Sequence, residues 1–208
     1  MKQGTDSPTQ AQLNQFGQHM AAFVEFNEAE WIICTQHLTV KTFNKKQHFI
    51  EAGQVCHQLG FILSGSVRFY HLIDGNDITG YFCFENEYVS SYKSFLTSEA
   101  SVNYIQALEP TTILLVSRAD WQQMLNNPML AYKMERFGRL LAEYYLICYE
   151  DRVNSFITQT PEERYLDFFS SGRAILQRMP QRYIANYLGI TPVSLSRMRK
   201  HILIEHRS

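Results

Sequence analysis

Residues 61–84 read FILSGSVRFYHLIDGNDITGYFCF, and two breaks inside this stretch decide the fold. Phe61-Ile62-Leu63 stops at Ser64-Gly65-Ser66, after which Val67, Phe69, His71 and Ile73 alternate with Arg68, Tyr70 and Leu72, the two-residue period of a strand. Asp74-Gly75-Asn76-Asp77 then supplies a hairpin turn, because these residue types tolerate the left-handed backbone of a tight reversal. Ile78 to Phe84 returns as the partner strand. Working outward to Val40 and Val116, short apolar segments are punctuated by Gly53, Gly60, Gly65, Gly75 and Gly80, half of the chain's ten glycines. That pattern predicts an all-β unit. Its last strand is Thr111 to Val116, and Ser117-Arg118-Ala119-Asp120 opens a helix, with Ser117 as N-cap and an acidic residue at the third helical position.

On the N-terminal side, residues 1–15 are rich in Gln, Thr, Ser and Asn without apolar periodicity and predict a flexible terminus. Short helices are expected between Phe16 and Leu38, with Asn27 capping one of them, so that residues 16–127 form one domain. On the C-terminal side, Leu130, Met134, Phe137, Leu141, Tyr144 and Cys148 are spaced 4, 3, 4, 3 and 4 residues apart. This is the stripe of a coiled-coil seam and predicts a dimerisation helix over residues 128–158; the alternative is that the stripe packs inside one subunit. Leu140, Ile147 and Tyr145 would then face the helix's own domain. Thr160-Pro161-Glu162-Glu163 starts a further helix, and with it a C-terminal domain of residues 159–208.

Charge separates that domain from the rest. Residues 172–208 carry seven Lys or Arg against Glu205 alone, a net of +6, which leaves −7 on the remainder of a chain whose total is −1. A basic module on an acidic body is the footprint of nucleic-acid binding at one end. Within it, Pro180 to Lys200 reads PQRYIANYLGITPVSLSRMRK, a helix-turn-helix pattern. Ala185 is small where two helices cross, Gly189 makes the turn, and Ile190 and Leu195 close the core between them. Thr191 caps the second helix, with Pro192 in its first turn. Leu195, Met198 and Ile202 then face inward and leave Pro192, Val193, Ser194 and Arg197 at the groove-facing start of a recognition helix. Arg197 is the candidate for guanine readout; Gln181, Arg182 and Lys200 are candidates for phosphate contacts.

Other function classes are disfavoured by what the sequence lacks. No apolar run reaches the roughly 20 residues of a membrane span, and MKQGTDSPTQAQLNQ has no signal-peptide pattern, so a cytoplasmic protein is expected. Cys34, Cys56, Cys83 and Cys148 lie 22, 27 and 65 residues apart, too dispersed for a metal or iron–sulfur framework. His37, His48, His57 and His71 never fall at the His-x-His spacing of a β-roll metalloenzyme, and no nucleophile triad or phosphate-cradling loop is present. No catalytic residue, metal or resident cofactor is expected.

This order, a glycine-punctuated antiparallel β-roll, a long helix and a C-terminal helix-turn-helix with at most a short wing at Ile202-Leu203-Ile204, resembles the CRP/FNR superfamily of bacterial transcription regulators, whose sensor is a cyclic-nucleotide-binding-like domain. The resemblance covers about residues 25–205 and rests most on Phe61-Ile62-Leu63-Ser64-Gly65-Ser66-Val67-Arg68 and on the helix-turn-helix. It implies an α+β fold and a homodimeric regulator that binds double-stranded DNA and touches RNA polymerase. Cyclic-AMP binders of the family carry Gly-Glu and, about ten residues on, Arg-Ser or Arg-Thr, which hold the ribose and the cyclic phosphate. Ungapped matching puts Ser90 and Ser91 at the first pair and Ser101 and Val102 at the second. A phosphate buried without its guanidinium loses several kcal/mol, so cyclic AMP is not expected in the usual mode. A different small polar effector would meet Ser91, Tyr92, Lys93, Ser94, Ser101 and Asn103, with Tyr144 and Tyr145 approaching from the long helix. Two alternatives remain: a small-ligand sensor or scaffold whose DNA reading is degenerate, and, from another class, a metal-dependent β-roll enzyme.

Overall fold

A computed structural model of the chain describes residues 5–170 and 177–205, with the backbone alone at 169 and 202–205. Arg173 and Arg207 of the basic count and the side chain of Ile202 lie outside the described residues. The chain divides into two compact units, Met1–Phe69 with Phe82–Tyr144, and Tyr70–Tyr81 with Tyr145–Ser208.

The first unit opens with α1 (Gln10–Met20) and α2 (Glu28–Thr35). The strands are β1 (Leu38–Phe43), β2 (His48–Ile50), β3 (Gln58–Ser64), β4 (Val67–Ile73), β5 (Asn76–Cys83), β6 (Tyr88–Val89), β7 (Tyr104–Ala107) and β8 (Thr111–Ser117), with α3 (Tyr92–Thr97) between β6 and β7. They form two four-stranded sheets ordered β1-β8-β3-β6 and β2-β7-β4-β5, the expected β-roll, and β8 pairs antiparallel with both β1 and β3. Asp74 and Gly75 reverse β4 into β5 with φ of 50° and 78°, the two positive values that a two-residue type I′ hairpin requires. Leu59 to Leu63 are buried without alternation because α1 covers the outer face of this sheet, setting Phe16 against Phe61 with ring centroids 5.2 Å apart.

Residues 10–15 are the first turns of α1, which corrects the expectation of a flexible terminus there. Thr9 Oγ1 accepts from the Gln12 backbone and the Gln12 side chain accepts from Thr9 N at 2.8 Å, a complete capping box. Phe16 and Met20 anchor the helix in the core. The polar run concealed it because two buried residues are enough when a cap fixes the entry. The Ser117 and Asn27 caps form as expected, accepting from Asp120 N and Glu30 N at 3.0 Å.

After α4 (Arg118–Asn126), α5 runs 28 residues from Ala131 to Thr158. Here the seam expectation needs its main correction. Leu130, Met134, Phe137 and Leu141 are at most 3% exposed in the single chain. Phe137 meets Phe23, Tyr88 and Trp121 with centroids 5.7, 5.6 and 6.0 Å away. The first four residues of the stripe therefore belong to the subunit's own core and are not available to a partner. Only its end, at Tyr144 and Cys148, emerges to half-exposed or intermediate positions.

The second unit holds the β4–β5 hairpin tip, the C-terminal half of α5, then α6 (Pro161–Ser170), α7 (Gln181–Leu188) and α8 (Pro192–Glu205). Thr160 and Glu163 form the expected capping box, with Thr160 N donating to Glu163 at 2.8 Å. Tyr165, Met179, Tyr183, Ile184, Ala185, Leu188 and Leu195 make the core. Residues 202–204, which were expected to leave room for at most a short wing, continue α8 as helix.

Candidate functional site

The second unit fixes the junction between α7 and α8 by satisfying every carbonyl that α7 leaves open. A helix end exposes four acceptors, here those of Ala185, Asn186, Tyr187 and Leu188. Gly189 sits at φ 74°, and its N–H reaches the Asn186 carbonyl at 3.0 Å while Ile190 N reaches that of Ala185 at 2.9 Å, a Schellman closure. The other two acceptors are taken by guanidinium groups: Arg152 Nη2 donates to Tyr187 O, and Arg164 Nη2 donates to Leu188 O at 2.8 Å. Arg164 Nη1 also donates to Gln159 O at 2.6 Å, so one side chain joins the end of α5 to the end of α7. Cations at a helix C-terminus also complement its dipole.

This rigid turn sets the start of α8. Thr191 Oγ1 accepts from Ser194 N at 3.1 Å, the expected N-cap, and Leu195 is fully buried against α7. Pro192, Val193, Ser194, Arg197 and Lys200 are exposed together, with Val193 at 61%. The three- and four-residue steps that bury Leu195 leave the opposite face of the helix to solvent. Gln181 is exposed at the first turn of α7. Arg182 is exposed too, but its guanidinium donates to Tyr183 Oη at 2.6 Å and lies 3.5 Å from Asp77 in the hairpin tip, while Asn186 Nδ2 donates to Asp77 O at 2.7 Å. Sequence reasoning missed Asp77, Asn186, Arg152 and Arg164, because all four act through contacts between residues distant in the chain.

In the first unit, the turn after β6 places the effector candidates. Ser91 and Ser101, ten residues apart, are hydrogen-bonded through their hydroxyls at 2.8 Å, and both are buried. Ser101 Oγ also bonds the backbone of Asn103. Ser94 accepts from Cys56 N at 2.9 Å and donates to Glu99 O. Lys93 is exposed and pairs with Glu99 at 2.7 Å; Tyr92 is 40% exposed, and burial of its inner half raises its phenol pKa. Arg118 Nη2 ties this turn down by donating to Cys56 O and Ser94 O at 2.8 and 3.0 Å. The buried serines thus satisfy one another and the local backbone, as short hydroxyl side chains do in turns. Tyr144 is half-exposed on α5, and Tyr145 belongs to the other unit. No group of three or more His, Cys, Asp or Glu placed to hold a metal occurs among the described residues. No helix among them is long and apolar enough to cross a membrane.

Residues 40–127 match the cyclic nucleotide-binding domain family. No curated protein matches the chain by sequence. Solved structures match its fold over most of its length. The c-di-GMP responsive global regulator CLP of Xanthomonas campestris superposes with a TM-score of 0.67 at 13% identity, over 86% of this chain and 93% of that one. FixK2 of Bradyrhizobium japonicum gives 0.62 at 19% identity, over 81% and 86%. A protein from Eubacterium rectale assigned to the CRP/FNR family of transcriptional regulators gives 0.62 at 17%, over 86% and 85%.

Proposed function

We propose that this chain, a cyclic nucleotide-binding domain followed by the helices of a CRP/FNR-type regulator fold, acts as a homodimeric, sequence-selective DNA-binding transcription regulator with no catalytic activity of its own. The observation that carries the reading is the exposed start of α8, with Thr191, Pro192, Val193, Ser194, Arg197 and Lys200 held on a turn whose four carbonyls are all satisfied. A recognition helix needs such fixed geometry, because base readout depends on placing a few side chains in the groove. Arg197 reads bases, and Gln181, Arg182 and Lys200 supply phosphate contacts. RNA polymerase is the further partner that the regulator reading implies.

The sensor does not take cyclic AMP in the usual mode. On the ungapped matching, Ser91 and Ser101 stand in place of the ribose-binding carboxylate and the phosphate-binding guanidinium, and their hydroxyls, bonded to each other at 2.8 Å, offer no positive charge to a buried phosphate. Calorimetric titration with cyclic AMP at tens of micromolar is expected to show no isotherm.

Dimer formation uses a surface further along α5 than the sequence indicated. Leu146, Ile147, Val153 and Ile157 are 57–76% exposed on the single chain, an apolar face that a monomer would leave in water. A second copy of the same helix covers it by two-fold pairing.

The test is binding of the full chain to a labelled duplex from its own upstream region, against a scrambled duplex, at two salt concentrations. Tighter, salt-sensitive binding to the native sequence is the expected outcome. Equal and weak binding to both duplexes would favour instead a sensor or scaffold whose helix-turn-helix does not select sequence.

A further inference from the structure

Arg152 and Arg164 do more in the second unit than close α7. They line a cavity of about 520 Å³ whose wall also includes Tyr81, Phe168, Tyr187 and Asp151. Arg164 is 8% exposed, and its Nε is buried without any hydrogen-bond partner. Arg152 lies with its guanidinium 3.5 Å over the Tyr187 ring and makes one hydrogen bond, to Tyr187 O. A guanidinium has five N–H donors, so the two groups retain several beyond those the helix end consumes. Burial is the main cause that presses the Arg152 pKa down; Tyr187 opposes the shift and the neighbouring Arg164 charge adds to it.

We propose that this cavity is a binding site for a small planar organic anion, a phosphate or carboxylate carried on a ring with hydrogen-bond donors. The anion answers the paired guanidiniums, which prefer planar, bidentate oxyanions. The ring suits the aromatic wall of Tyr81, Phe168 and Tyr187. Asp151 and Asp167, the latter accepting from Gln159 Nε2 at 2.5 Å, place acceptors on the same wall and favour a ligand with donors over a bare inorganic anion. The volume fits a molecule of this kind, within the usual range for small-ligand pockets. The two arginines hold the last carbonyls of α7, one residue before the Gly189 turn. If the DNA-binding reading of α8 is correct, an occupant of the cavity would act directly on the placement of the recognition helix. The binding itself does not depend on that reading.

Calorimetry on the full chain tests this with 4-aminophenyl phosphate, 4-aminobenzoate and, as the uncharged control, aniline. At least one of the two anions is expected to bind saturably at one per chain, and aniline at least about tenfold more weakly, the loss expected when a charge-assisted pair is removed. The stronger of the two anions identifies which oxyanion the site selects. Arg152→Gln should weaken the anion about tenfold or more, whereas Arg197→Gln, on the exposed face of α8, should leave it unchanged. Thr158→Trp fills the cavity from α5 without removing a clamp, so it must abolish binding even if Arg152→Gln fails to fold. Absence of saturable binding by either anion, or binding unaffected by Thr158→Trp, would overturn the proposal.

Discussion

Gly65 stands at φ 92°, and a Cβ there would come within 2.6 Å of the Pro110 carbonyl oxygen. Gly65→Ala combines backbone strain with a clash against backbone that cannot move aside. Urea unfolding is expected to show a loss of about 2–4 kcal/mol. The role of this residue is only half legible in the sequence: Ser64-Gly65-Ser66 announces a turn, but the crowding comes from a segment 45 residues away. Asp120 makes a comparable case in electrostatics. The Ser117 hydroxyl and then His37, 3.0 Å away, hold its carboxyl below the ordinary range. A depressed native pKa means that the unfolded chain takes up the proton first as pH falls. The stabilisation is therefore complete above the unfolded value of about 4 and is lost as pH drops through the lower native value. Relative to Asp120→Asn, the wild type should be more stable at pH 6, and the gap should close on acidification; a gap independent of pH would remove the carboxylate from the account. Cys34, buried in the core, has its thiol pushed up to about 12. It should resist thiol reagents at pH 8 until the protein is unfolded.

Among the elements, α7 and α8 were the most fully readable. Each step of their turn is local: a small residue at the crossing, a left-handed glycine, a threonine cap three residues before the N–H it accepts. Local rules therefore recovered the exposed face of α8 without knowledge of the rest of the molecule. Arg197→Ala is expected to cost about 1–3 kcal/mol of specific DNA affinity and to relax selectivity at one or two base pairs, measured on a panel of single-substitution duplexes. Lys200→Ala should weaken all duplexes alike and lower the slope of log affinity against log salt by about 1. Arg182 is less straightforward, since its guanidinium already has Tyr183 and Asp77 as partners. Asp77→Asn should release it and strengthen binding to any duplex modestly, without altering sequence preference.

For the whole molecule, α5 shows where periodicity stops being informative. A stripe at three- and four-residue steps marks a buried face, but it does not say which surface buries it. The β-roll core claims Leu130, Met134, Phe137 and Leu141, while Leu146, Ile147, Val153 and Ile157 remain exposed. Val153→Glu should therefore yield a folded monomer by sedimentation at micromolar concentration. Leu141→Ala should leave assembly intact and destabilise each subunit by about 2–5 kcal/mol through its cavity. The opposite pair of outcomes would restore the upstream seam.

The sequence by itself determined the order of the architecture: β-roll, long helix, helix-turn-helix, the caps at Asn27, Ser117, Thr160 and Thr191, and the face of α8. These follow from rules that operate within a few residues, namely turn chemistry, capping and the periods of strand and helix. Only the tertiary structure decided that α1 is ordered, which part of α5 stays open, that Ser91 and Ser101 bond each other, and that Arg152 and Arg164 converge on one cavity. Each of these depends on which distant segments share space, and burial and charge pairing take their meaning from neighbours that spacing along the chain does not specify.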